Sequence, residues 1–279
     1  MRNIKLFAAV IVLTVVFFVK GAFAGAPFVN LEGVGGVAFN PLAYLADSSG
    51  DNSHIKAGDT DVLGKARFGV WYVNLDDVKV DWTAIGIADT FFKRLEVSYG
   101  YETVNPENSV AIHKTNIGAK VLLLQENAFD TKFFPAISIG GIFKKTVYVG
   151  TGNDDSGEDF YLVATKLITQ LPRPVLLSGG LLSTNSKVTG VFGYDEDSET
   201  TVFGNIDIIL PLNLIVGFEY KQGAKYSDWK DAGYWDAHLA WTPTSNLTLI
   251  LAHVNAGDYK STSKVGLGTG VVLSAQYAF

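Results

Sequence analysis

Counting back from the last residue, every second side chain is apolar: Phe279, Tyr277, Ala275, Leu273, Val271. A period of two is the signature of a β-strand with one greasy face, because successive side chains point to opposite sides of the pleat. The same period recurs upstream. Trp235, Ala237, Leu239 and Trp241 alternate with Asp236 and His238, and Leu214, Val216, Phe218 and Tyr220 with Gly217, Glu219 and Lys221. Val202, Ile206, Ile208 and Leu210 oppose Asn205 and Asp207, and Leu95, Val97, Tyr99 and Tyr101 oppose Glu96, Ser98, Gly100 and Glu102. Hydrophobic residues make up 48% of the chain, yet after the first twenty residues no apolar run approaches the roughly 20 residues that a membrane helix needs. Apolar content spread over alternate positions fits strands whose outer face meets lipid and whose edges are closed on themselves. The expected fold class is therefore all-β, a closed antiparallel transmembrane β-barrel of about twelve strands, with fourteen as the alternative.

The expected strands are 64–74, 77–88, 94–104, 110–125, 132–145, 158–170, 173–184, 199–210, 213–222, 232–243, 246–256 and 267–279. Short connections at 171–174, 211–213 and 243–246 alternate with long polar ones at 150–158, 185–199, 223–233 and 256–264. Short turns on one side and long loops on the other are the expected asymmetry of such a barrel. Bacterial barrels carry even strand numbers, so 25–63 is expected to be a Gly-rich periplasmic or lumen-lining segment and 64–279 the barrel itself. Gly33, Gly35, Gly36 and Pro41 fit an irregular path, and 48–61 reads as a polar loop.

The two ends give an address. Arg2 and Lys5 precede an apolar stretch from Leu6 to Val19, and Ala22-Phe23-Ala24 has the small-x-small form of a processing site, so residues 1–24 read as a Sec signal peptide cleaved after Ala24. Removing it takes away three cations and no acids, moving the formal charge from −6 to −9 and arguing against nucleic acid as a partner. With no cysteine, neither disulfides nor thiolate metal sites are available. The four histidines are scattered, the acidic runs at 154–155 and 195–197 read as solvated loop charge, and neither a metal nor a cofactor is expected.

The terminal strand ending in Phe279 resembles the closing strand of Gram-negative outer-membrane barrels, which implies the barrel-assembly machinery, outer-membrane lipid and lipopolysaccharide as partners. A more specific resemblance rests on several pieces in order: Gly33 to Ala43, Gly118 to Val121, Pro135 to Ile137, Tyr161 to Leu167, and Glu219-Tyr220 followed by Asp228-Trp229-Lys230-Asp231. Together they resemble the domain of unknown function 3034 family of proteobacterial outer-membrane proteins. The resemblance implies a barrel in the outer membrane and brings no activity and no catalytic residue.

Lumen-facing candidates are Lys65, Arg67, Lys79, Asp81, Glu96, Glu102, Lys120, Lys166, Asp207, Glu219, Lys221, Asp236 and His238. Two readings of them stay open: a paired charge network stabilising a narrow barrel, or opposed acidic and basic walls of a weakly selective channel. Trp235, Trp241, Tyr220, Tyr277 and Phe279 are the expected membrane-interface anchors. The expected function is passive transport or binding of an unidentified small molecule. A non-transporting envelope role in surface structure, adhesion or polysaccharide secretion is the alternative. A lipid hydrolase using His253 comes third, and the protein is not expected to be an enzyme.

Overall fold

The computed structural model describes residues 28–47, 62–149 and 154–279; the expected signal peptide and the expected loop at 48–61 lie outside the described residues. Twelve antiparallel strands form a closed ring: β1 Arg67–Leu75, β2 Val80–Phe91, β3 Leu95–Pro106, β4 Ile112–Leu124, β5 Ala136–Val147, β6 Ser156–Ile168, β7 Val175–Ser186, β8 Tyr194–Leu210, β9 Leu214–Lys221, β10 Tyr234–Trp241, β11 Leu247–Asn255 and β12 Thr269–Ala278. Each strand pairs with its neighbour in sequence, and β1 closes the ring on β12 with Arg67 opposite Ala278. Closure leaves no unpaired edge, which is the condition for strands to stand in lipid.

The strand period places the apolar residues where it must. Ile85, Ile87, Val97, Ile117, Leu162, Leu181, Val216 and Leu251 are exposed on the outer face, an apolar belt that only a bilayer can solvate. The expected anchors lie on that belt's side: Tyr220, Trp241, Tyr277 and Phe279 are exposed, and Trp235 is half-buried against Phe218 and His253. Tyr277 and Phe279 meet edge to face, with ring centroids 5.3 Å apart.

The two rims differ. The terminal rim, where β12 ends, carries connections 92–94, 125–135, 169–174, 211–213 and 242–246; the loop rim carries 76–79, 107–111, 148–155, 187–193, 222–233 and 256–268. The expected segregation holds, with three departures: 76–79 and 107–111 are short connections on the loop side, and 125–135 is a longer one on the terminal side. β8 also begins five residues before its expected start, because Tyr194 reaches back to pair with Ser186 across a register shift.

A ring of eight strands fills with its own side chains, whereas sixteen leave a water-filled bore. Twelve strands fall between, and the space is occupied by the chain itself. Residues 28–47 run inside the lumen from the terminal rim toward the loop rim and back, with Val29, Asn30, Val34, Ala38, Asn40, Ala43 and Leu45 buried. At its closest approach the segment lies backbone on backbone. Gly33, at φ 91°, rests against Gly86 and Gly100, which face each other across β2 and β3. A Cβ on Gly33 would stand 2.5 Å from the Tyr99 carbonyl oxygen, so glycine is required on both grounds.

Candidate functional site

The lumen wall holds residues 28–47 chiefly through charged side chains that bond to their backbone. Glu219 on β9 accepts N–H bonds from Ala38, Phe39 and Asn40 at 3.1, 3.1 and 2.8 Å. Lys120 on β4 donates to the carbonyls of Gly35, Leu42 and Tyr44 at 2.9, 3.1 and 2.8 Å. Glu96 on β3 pairs with Lys120 at 3.0 Å and accepts the N–H groups of Gly35 and Ala46. An irregular segment leaves many backbone groups without ladder partners, and here the wall supplies them. Nearer the terminal rim, Thr165 and Ser138 clasp the N–H and C=O of Ala43. On the β12 side, Gln276 accepts from Val29 N–H while Trp71 donates to the Val29 carbonyl.

A second network joins the segment's only acid in the lumen centre to two strands. Glu32 pairs with Lys114 at 3.1 Å and, closer still, with Lys144. Lys114 also pairs with Glu102 at 2.8 Å, and Lys144 with Asp159 at 2.7 Å. Glu102 is further bonded by Asn116 and by the indole N–H of Trp82. Third, His238 sits between two carboxylates, 2.7 Å from Asp236 through Nδ1 and 2.8 Å from Asp207 through Nε2. The sequence pattern gave no sign of Asp207 as the third member, since β8 and β10 meet only through β9.

Of the lumen candidates, Arg67, Glu96, Glu102, Lys120, Asp207, Glu219, Lys221, Asp236 and His238 are buried inside the barrel. Four are placed elsewhere. Lys65 precedes β1 and is exposed at the terminal rim, and Lys79 is exposed in the 76–79 turn. Asp81 is on the outer face, where it accepts from Tyr72 and Asn74, because Val80, Trp82 and Ala84 take the inner positions of β2. Lys166 has the outward parity of β6, whose inner residues are Tyr161, Val163 and Thr165, and it pairs with Glu126 of the 125–135 connection at 2.9 Å. Lys114, Lys144 and Asp159 were missed, although once Glu102 is placed inward the β3–β4 register sets Lys114 directly opposite it. Glu32 had no signal to give, since the period of two stops before it.

The loop rim is also covered. Residues 187–193 fold over the mouth, with Thr189 O accepting from Lys114 and Gly190 O from Thr146. Asp231 of the 222–233 loop accepts the N–H of Val188 and the indole N–H of Trp229. Lys187 pairs with Asp195 at 3.3 Å and lies over the Trp229 ring. Among the described residues no group of three or more His, Asp or Glu is arranged to hold a metal.

Comparison with known proteins follows the same outline. The model of the family described as "Protein of unknown function (DUF3034)" matches residues 26–276. The chain belongs to this family. Among solved structures, the DUF3034 chain is similar to the KdgM porin, with a TM-score of 0.53 and 13% identity over 77% of this chain and 99% of that one. It is also similar to the COG4313 outer membrane channel from Pseudomonas putida F1, with a TM-score of 0.50 and 11% identity over 81% of this chain and all of that one. At such identities the likeness is one of fold, and that fold is an outer-membrane barrel of the porin and channel type. No curated protein matches the sequence.

Proposed function

We propose that this DUF3034 protein is a passive outer-membrane channel for small polar solutes, held shut by its own residues 28–47. The observation that carries the reading is the chemistry of the grip: Glu219, Lys120 and Glu96 bind backbone N–H and C=O groups of the segment, the bonds that water would make in its place. A segment held this way leaves behind a wall that water can wet, with Lys120 and Glu96 still paired to each other. On β3 to β6 the lysines Lys114, Lys120 and Lys144 are paired with Glu102, Glu96 and Asp159, so the wall vacated on that side would be polar with its charges balanced.

Planar-bilayer recording tests this reading. The full chain should be largely silent, and a variant lacking residues 28–47 should give stepwise conductance. A deletion variant that keeps the heat-modifiable gel shift of a folded barrel yet stays silent overturns the reading. That result would favour a non-transporting envelope protein, which the second closure over the loop rim by 187–193 and 222–233 supports. A lipid hydrolase has less support. His253 packs on Trp235 at the outer face and has no hydrogen bond or ion pair among the described residues, so no serine or carboxylate is poised to work with it.

A further inference from the structure

Two consecutive residues of the 187–193 loop are held where side chains like theirs rarely go. Val188 and Thr189 have φ of 48° and 56°, and both are β-branched, so each Cβ crowds the backbone that follows it. Such a turn persists only while its surroundings over-determine it, and strain of this kind gathers at elements that switch. Three contacts hold it from outside the loop. Asp231 accepts the Val188 N–H at 3.0 Å, Lys114 donates to the Thr189 carbonyl at 2.8 Å, and Thr146 donates to the Gly190 carbonyl at 2.8 Å. Lys114 does more than hold the loop. An ammonium carries three N–H groups, and this one meets three partners: the loop, Glu32 of the segment in the lumen at 3.1 Å, and Glu102 of the wall at 2.8 Å. One buried cation thus ties the cover of the mouth to the segment beneath it.

The two elements also share apolar contacts. Val191 of the loop belongs to the same buried cluster as Ala38, and Phe192 packs against that cluster as Leu31 and Phe39 do. Val188 and Thr189 line the same cavity of about 70 Å³ as Leu31, Ala38 and Phe39. We infer that residues 187–193 and 28–47 are two parts of one gate, in which the strained loop stays shut only while the segment is seated. The inference rests on the reading of residues 28–47 as a removable closure. Withdrawal of the segment takes Glu32 from Lys114 and removes the loop's apolar partners, and the loop then relaxes toward the φ values that valine and threonine prefer. Coupling between two sites is reciprocal, so an opened loop in turn loosens the segment. A mouth covered twice then opens in one step.

Two variants in phosphatidylcholine nanodiscs test the gate from either side, and both are read without conduction. Thr189→Pro forces the loop open, since proline cannot take a φ of 56°. Protease cleavage within 28–47 should then quicken by about fivefold or more, the lower end of the coupling typical of linked sites. In the variant lacking residues 28–47, hydrogen exchange should quicken by at least as much at Val191, Phe192 and Gly193, whose N–H groups bond back within the loop, while the strand amides keep their protection. Unchanged cleavage in Thr189→Pro, or unchanged loop exchange in the folded deletion variant, overturns the inference. Should the deletion variant fail to fold, Thr189→Pro decides alone, because its substitution lies in a rim loop outside the strands. A barrel that is silent in the bilayer yet shows both effects loses the channel and keeps the coupled gate; a conducting one without them does the reverse.

Discussion

On the side of β3 to β6, residues 32–46 are held by ions: Glu96, Lys120, Lys114 and Lys144 meet either the segment's backbone or its Glu32. On the side of β10 to β12, β1 and β2, the same segment lies against Trp71, Val73, Leu75, Trp82, Val254 and Val272, with its own Leu31, Ala38 and Phe39 completing the cluster. The ionic side is directional. Each bond names one backbone group and fixes where the segment sits along the lumen. The apolar side is not directional; it contributes by area removed from water and tolerates sliding. One segment is thus registered by one wall and pressed by the other, and the two walls should fail differently when they are altered.

The largest effect is expected on the ionic side. Lys120→Met leaves Glu96 buried without its cation and three carbonyls of the segment without a donor, a loss of about 3–5 kcal/mol. That loss should fall on seating rather than on the barrel, so protease cleavage within 28–47 should accelerate while the gel shift persists. Unchanged cleavage would show that the ionic wall does not set the position. Leu75→Ala, on the apolar side, should cost about 2–5 kcal/mol through the cavity it leaves. Urea unfolding of the barrel should report this cost, with little change in cleavage at 28–47; the opposite pattern would erase the distinction between the walls.

A smaller effect is expected at the loop rim. Burial pushes the Asp231 carboxyl up to about 6, against the lowering influence of the Trp229 and Val188 N–H groups it binds. Because its value in the closed loops exceeds that of a solvated aspartate, the closed form holds the extra proton. Closure is therefore strengthened below about pH 4 and loses that contribution as pH rises through about 6, by about 3 kcal/mol at most. Hydrogen exchange at Val188 should quicken over that range in the wild type and lose its pH dependence, beyond the intrinsic chemistry, in Asp231→Asn. A flat wild-type profile would remove Asp231 as the titrating group. The least effect belongs to Lys166→Gln, which breaks a rim ion pair with Glu126 and should alter unfolding by about 0–1 kcal/mol. A loss comparable to that of Lys120→Met would mean that the rim pair belongs to the network inside.

The contrast between Lys120 and Lys166 shows how far alternation can be read. Both interrupt apolar runs, and both were expected to line the lumen. In β4 the outer residues Ile117, Val121 and Leu123 are bulky enough to identify the lipid face, which sends Lys120 inward. In β6 the run from Tyr161 to Leu167 is apolar on both faces, so Lys166 had no clear parity. Asp81 failed for a related reason. Beside it, Val80, Trp82 and Ala84 make the greasier face, which in a lipid-facing strand would point outward, yet here they meet Leu31 and Phe39 of the chain inside.

The sequence alone determined the strands and their order, narrowed their number to twelve or fourteen, placed most of the short and long connections, and named the class of solvent that the outer face must meet. These follow from a period of two, which is local and survives without any partner in view. Only the tertiary structure decided which face of β2 is interior, which lysines are paired, and where residues 28–47 go. Those depend on side chains brought together by ring closure from strands far apart in the chain, and no local period encodes a contact between Glu219 and Ala38.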